Sequence, residues 1–123
     1  GARAIPLNVS APFHCPLMQP AADEMADALG DAKIVAPSVA VVANVTARPE
    51  TDAEVIRRLL VEQVTGRVRW RESVLAMRAD GVESFVELGG KVVGPMVSRT
   101  DKEAQVTSLV TMADLEAFAK EMV

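Results

Sequence analysis

His14 is the only histidine in the chain, set in Ser10-Ala11-Pro12-Phe13-His14-Cys15-Pro16, between the end of one predicted strand and the start of a predicted helix. Loops at the C-terminal ends of parallel strands are where open α/β sheets build their sites. An imidazole in such a loop can act as a general base, because its unperturbed pKa lies near neutral pH. The plainer reading of the same position is a surface or capping histidine. A solitary histidine also transfers nothing without a nucleophile. Cys15 is adjacent, but neighbours in a chain rarely point at one another, and a free cysteine is commonly a small buried hydrophobe. None of the serines stands in a Gly-x-Ser-x-Gly elbow. One histidine and one cysteine make a protein-only zinc site a poor expectation.

Gln63 lies four residues after Leu59 and seven after Ile56, on the apolar side of its predicted helix. A buried amide must find partners. Two partners suit that place: an imidazole that needs a fixed tautomer, or the loose carbonyls of a helix end. Glu87-Leu88-Gly89-Gly90-Lys91 follows a strand and opens a helix, the geography of an anion-binding helix N-terminus. It is not a Walker motif, and a tight turn that needs glycine is the simpler reading. Arg67, Arg69 and Arg71 alternate around Trp70. Such a strip is usually solvated surface, and in an acidic chain it can also receive an acidic partner.

The elements that must position these residues alternate in type. Ile5 to Val9 reads as a short strand and Pro16 to Leu29 as a helix, with Leu17, Ala21, Met25 and Ala28/Leu29 inward and Gly30 as its stop. Val39 to Val45 is β-branched and reads as a buried strand. Thr51-Asp52-Ala53-Glu54 opens a second helix, with Val55/Ile56, Leu59/Leu60 and Val64 inward and Gly66 as its end. Trp70, Val74 and Met77 mark a third helix, closed by Gly81. A strand through Phe85, Val86 and Leu88 leads into a short helix ending near Arg99. Val106 to Val110 is a strand, and Thr111 with Asp114 caps a last helix with Leu115, Phe118/Ala119 and Met122 inward. Such alternation implies an α/β fold, a parallel sheet with helices on its faces.

With 123 residues the chain has room for one small domain, and 50% hydrophobic residues are too many for a disordered one. The net charge of −4 and 3% aromatic content argue against nucleic acid. No uninterrupted apolar run approaches a membrane span; the best, Ile34 to Val45, is broken by Pro37, Ser38 and Asn44. Gly1-Ala2-Arg3-Ala4 has no apolar signal region. A single cysteine fits a reducing, cytoplasmic setting. The chain starts without Met inside an apparently structured stretch, which suggests a piece of something larger.

Taken together, these motifs resemble the malonyl-CoA:acyl carrier protein transacylases. Val9-Ser10-Ala11-Pro12-Phe13-His14-Cys15-Pro16-Leu17-Met18-Gln19-Pro20-Ala21 resembles the catalytic-histidine segment of that family. Val42-Ala43-Asn44-Val45-Thr46 resembles its following strand, and Val61-Glu62-Gln63 with Arg67-Val68-Arg69-Trp70 the helix pair after it. Phe85-Val86-Glu87-Leu88-Gly89-Gly90-Lys91-Val92-Val93 resembles its Glu-x-Gly-Pro-Gly-Lys-Val-Leu turn, one residue shorter. The order is right and the match covers nearly the whole chain.

The resemblance implies a Ser/His ping-pong transfer of malonyl from coenzyme A to the phosphopantetheine thiol of acyl carrier protein. His14 would be the acid and base, and the residue at Gln63 would hold the imidazole, commonly through its main-chain carbonyl. Phe13 would flank the acyl group. A related polyketide-synthase motif, His-Ala-Phe-His, goes with malonyl selection, and Tyr-Ala-Ser-His with methylmalonyl. The implied fold is an α/β-hydrolase-like core carrying a ferredoxin-like subdomain. In the family the serine elbow, the oxyanion-hole glutamine, the carboxylate-binding arginine and that subdomain all come earlier in sequence. Residues 1–123 would then be the C-terminal portion of the large domain, with the N-terminal half of the same enzyme, malonyl-CoA and acyl carrier protein as partners. No cofactor, metal, nucleic acid or membrane is expected. Two other readings stand beside it: a non-catalytic half-domain for carrier docking or dimerisation, and a polyketide-type acyltransferase with another extender unit.

Overall fold

The computed structural model describes residues 9–122. Residues 5–8 of the strand predicted from Ile5 lie outside that range. Two compact units divide the chain, Gly1–Arg69 and Trp70–Val123.

In the first unit a 3-10 turn at Pro16–Met18 leads into α1, Gln19–Asp31. Prolines at both starts cost little, since the first N–H groups of a helix lack intrahelical partners anyway. α1 packs on α2, Ala53–Thr65. The buried residue of α1 is Ala22; of the expected inward positions Ala21 and Leu29 are half-buried, while Leu17, Met25 and Ala28 are exposed, so the expected stripe is met only in part. Small residues let two helices approach closely, which a count of large apolar side chains does not register. Gly30 lies within α1 and does not stop it. α2 opens on Asp52, whose carboxylate accepts from the Glu54 and Val55 N–H groups, and buries Ile56 and Leu59 as expected. Gly66 ends it.

The valine-rich run is not a long buried strand. β1 is only Val41–Ala43 and pairs antiparallel with β2, Arg48–Glu50. Between them Ala47 adopts φ 54° and its N–H donates to Ala43 O at 2.8 Å, turning the chain back. Val39 remains 77% exposed.

The second unit holds α3, Trp70–Ala79, then β3, Ser84–Leu88, α4, Gly94–Thr100, β4, Gln105–Leu109, and α5, Met112–Glu121. β3 and β4 are parallel, in register from Ser84 opposite Gln105 to Leu88 opposite Leu109. A parallel pair needs a crossover of a dozen or more residues, and α4 supplies it. The fold is thus α/β, with a small parallel sheet and flanking helices. Val74 is fully buried in this unit, and Val97 and Leu109 are buried as well. α5 has the expected cap: Thr111 Oγ1 accepts from Asp114 N–H, and the Asp114 carboxylate accepts from Thr111 N–H. Its expected inner face is only partly covered, since Met122 is 74% exposed. Arg78 Nε donates to Asp101 at 2.7 Å, joining the end of α3 to the end of α4 and holding the Asp101 carboxyl below its ordinary pKa.

The Glu87–Gly90 segment explains itself from within. Glu87 sits on the covered face of β3, opposite Ser108 of β4, and is only 9% exposed. Its carboxylate accepts from the N–H groups of Val92, Val93 and Gly94 at 2.7 to 2.9 Å, and from the Ser108 hydroxyl at 3.1 Å. The place that resembled an anion site is therefore filled by the chain's own carboxylate. Gly89 has φ 83°, which satisfies the expected need for glycine in the turn, and its N–H donates to Leu109 O. A Cβ on Gly94 would fall 2.8 Å from Glu87 Oε2 and 2.9 Å from Val106 Cγ1. Gly94→Ala should destabilise the chain by about 1–3 kcal/mol, the usual cost of overpacking. An unchanged denaturation midpoint would contradict this packing.

Burial pushes the Glu87 carboxyl pKa up, but its four donors outweigh burial and hold it below the ordinary 4.5. A carboxyl depressed in the folded state adds stability above its unfolded pKa and loses it as pH falls through the folded one. The chain should therefore weaken below about pH 4.5. Glu87→Gln should make that acid dependence shallower, while Asp101 and Asp114, also depressed, preserve part of it. Denaturation midpoints measured from pH 7 down to 3 would test this, and identical slopes for the two proteins would refute it.

Candidate functional site

The turn before α1 is knitted by short-range bonds. The Phe13 N–H donates to Ala11 O at 2.9 Å, the Cys15 thiol to Pro12 O at 3.0 Å, and the Met18 N–H to Cys15 O at 3.0 Å. Within it His14 takes φ 56°, the left-handed region that side chains rarely adopt. Such backbone costs of order 1 kcal/mol or more and persists only where the surroundings impose it. The 3-10 turn that follows packs against α2, which brings the turn to the C-terminal end of that helix.

There the His14 Nδ1 lies 3.0 Å from the main-chain oxygen of Gln63. The residues are 49 apart in sequence. A carbonyl oxygen only accepts, so Nδ1 must carry the proton, and in the neutral ring Nε2 keeps its lone pair. One contact thus fixes both the orientation and the tautomer of the only imidazole in the chain.

The carbonyl is available because α2 ends where it does. Helix carbonyls in the last turn lack intrahelical donors. The Gly66 N–H takes Glu62 O at 3.0 Å, and the chain leaves the helix at Gly66 in an extended conformation. Gln63 itself is half-buried rather than buried. Of the two partners open to it from sequence, the imidazole is the one found, and it is met by the backbone.

The other candidates fall apart from this pair. Cys15 donates to Pro12 O and forms no pair with His14. Phe13 is 58% exposed, beside His14 in the turn. Arg69 is half-buried and its side chain reaches Val45 O, so the strip around Trp70 is not simply a solvated face. Among the described residues no group of three or more His, Cys, Asp or Glu could hold a metal ion, and no helix is long and apolar enough to cross a membrane.

A cavity of about 160 Å³ adjoins the site, lined by residues 41–44 and by Ile56, Leu59, Leu60 and Gln63. Its lining includes Asn44, which in the sequence breaks an apolar run and falls in the strand segment of the resemblance, with no role of its own assigned there. The Asn44 Oδ1 accepts from the Arg69 N–H at 2.9 Å. A lone amide inside a valine-rich run was the available signal, since buried amides are retained for the bonds they make.

No protein-family model matches the chain. Over 122 residues, 98% of its length, it is 39% identical to the malonyl CoA-acyl carrier protein transacylase of Haemophilus influenzae. The chain spans about 39% of that relative's length, in its C-terminal part. An acyl-carrier-protein-S-malonyltransferase from Bartonella henselae matches in structure with a TM-score of 0.88 and 45% identity, over 98% of this chain and 38% of that one. A malonyl-transacylase solved in complex with a type II PKS acyl-carrier protein matches with a TM-score of 0.84 and 37% identity, over 97% of this chain and 39% of that one.

Proposed function

We infer that this chain, similar along nearly its whole length to the C-terminal part of malonyl CoA-acyl carrier protein transacylases, supplies the histidine of such an enzyme. The observation that carries the reading is the bond from His14 Nδ1 to Gln63 O, because it prepares Nε2 to receive a proton. Residues 1–123 serve together as the C-terminal portion of the large domain, and the serine nucleophile comes from outside them.

In this reading the Nε2 of His14 takes the serine hydroxyl proton as the serine oxygen attacks the malonyl thioester. The carbon–sulfur bond breaks, and the coenzyme A thiolate leaves with the proton from the imidazolium. A phosphopantetheine thiol of acyl carrier protein then gives its proton to Nε2 and attacks the malonyl-serine ester. The malonyl thioester forms and the serine recovers its proton. The positive imidazolium is stabilised at each half-reaction by the Gln63 carbonyl on its other nitrogen. Malonyl-CoA and the carrier are substrates, no separate cofactor takes part, and the chemistry belongs to fatty acid or related lipid synthesis. The relative solved with an acyl-carrier protein favours that partner over a purely structural role.

The test is a chimera in which this chain replaces the matching C-terminal part of the Haemophilus influenzae relative. The 123-residue chain alone should transfer no malonyl group, and the folded chimera should transfer it from coenzyme A to acyl carrier protein. Transfer by the isolated chain, or a folded chimera that binds malonyl-CoA and acylates nothing, would overturn the assignment.

A further inference from the structure

We propose that Asn44 is a positioning residue for His14, acting through the end of α2. This rests on the reading of His14 as the base, and extends it to a residue that touches neither the imidazole nor its acceptor carbonyl.

The geometry runs through one loop. Asn44 follows β1 directly, and its side-chain oxygen takes the Arg69 main-chain N–H at 2.9 Å. The next residue, Val45, offers its carbonyl to the Arg69 guanidinium at 3.3 Å. Residues 44 and 45 therefore grip Arg69 by both its backbone and its side chain. Arg69 is the third residue beyond Gly66, so this grip fixes the path of the chain as it leaves α2.

That path decides what Gln63 O can do. Were α2 to continue, the Arg67 N–H would become its donor in the i to i+4 ladder, along the helix axis. The imidazole would then compete with a backbone amide for the same oxygen. The pinned exit keeps the carbonyl at the helix end, where His14 Nδ1 reaches it. Gly66 belongs to the same device: a Cβ there would stand 2.9 Å from Glu62 O, against the bond that closes the helix. Asn44 is suited to its post because a main-chain N–H requires an acceptor, and the amide supplies one from a half-buried position beside an apolar cavity.

The single histidine makes the test clean, since the imidazole nitrogen resonances of the ¹⁵N-labelled chain belong to His14 alone. In the unmodified chain with the ring neutral, the proton should reside almost wholly on Nδ1. Asn44→Ala should shift the Nδ1–H to Nε2–H ratio about five- to tenfold toward Nε2–H, the worth of one weakened hydrogen bond. Asn44→Asp keeps an acceptor oxygen and should retain the ratio of the unmodified chain. Asn44→Ala with an otherwise intact amide spectrum and an unchanged ratio would overturn the proposal, as would a shift in Asn44→Asp equal to that in Asn44→Ala. Should Asn44→Ala fail to fold, Arg69→Met, which releases the side-chain bond to Val45 O, takes its place: a shifted ratio supports the grip and an unshifted one refutes it. The readout needs no catalysis, so failure of the reading of His14 as the base would appear separately, as a chimera that acylates equally fast without the imidazole.

Discussion

His14→Ala in the chimeric enzyme should slow serine acylation by about 10²–10⁴-fold, the usual worth of a positioned acid-base group. The loss should fall on the chemical step rather than on malonyl-CoA binding, because the imidazole acts on the proton in flight. Gln63→Ala should do far less, within about tenfold of the unmodified chimera, since it removes only the side chain and keeps the carbonyl 3.0 Å from Nδ1. The contrast between the two substitutions is the sharper measurement. A Gln63→Ala defect as deep as that of His14→Ala would place the functional contact on the amide instead of the backbone. A chimera that keeps full acylation rates without the imidazole would remove His14 from the reaction altogether. Pre-steady-state acylation with labelled malonyl-CoA separates these outcomes.

How much of this could be read in advance differs from element to element. α2 was legible because three local signals agreed: a capping residue, an apolar stripe and a terminal glycine. Even so its cap is Asp52 rather than the Thr51 that opened the predicted box, since Asp52 reaches two backbone N–H groups. The β3–α4–β4 crossover was legible for a similar reason: β3 lies between Gly81 and Gly89-Gly90, and β4 runs into the Thr111 cap of the last helix. β1 was not. A run of valines reads as a buried strand whatever lies beside it, and the hairpin that truncates it turns on Ala47, a residue with no turn signature. The contact face of α1 was read only in part, Ala21 and Leu29 but not Ala22, because alanine packing leaves no periodic trace in large side chains.

At the site, the separate residues were visible but their bonds were not. The bond between His14 and Gln63 spans 49 positions and uses a main-chain atom, to which residue type is blind; only the family resemblance pointed there. Glu87 shows the opposite failure. The turn after β3 does present three N–H groups in one direction, as an anion site would. The sequence also held the occupant, a carboxylate two residues from Phe85 on the same strand face, but period-two reading assigns faces without assigning partners.

Phe13→Ser should relax selection between acyl groups in the chimera. Phe13 directly precedes His14, and the left-handed backbone at His14 makes the two side chains part of one fixed turn. The competing possibility is that the ring packs into the core and leaves selection to other residues. Its 58% exposure in this chain places it outside the core of its unit, free to face whatever group the serine carries. A rigid ring leaves less room for an α-methyl branch than a serine hydroxymethyl does. Steric discrimination of one methyl group is worth ~1–3 kcal/mol, roughly ten- to two-hundredfold in kcat/KM. The unmodified chimera should thus prefer malonyl- over methylmalonyl-CoA within that range, and Phe13→Ser should recover part of the methylmalonyl rate without losing malonyl transfer. Competition between the two coenzyme A esters measures the ratio directly. An unchanged ratio in an active Phe13→Ser chimera would leave the ring as packing against the serine-bearing part, with selection made by other residues.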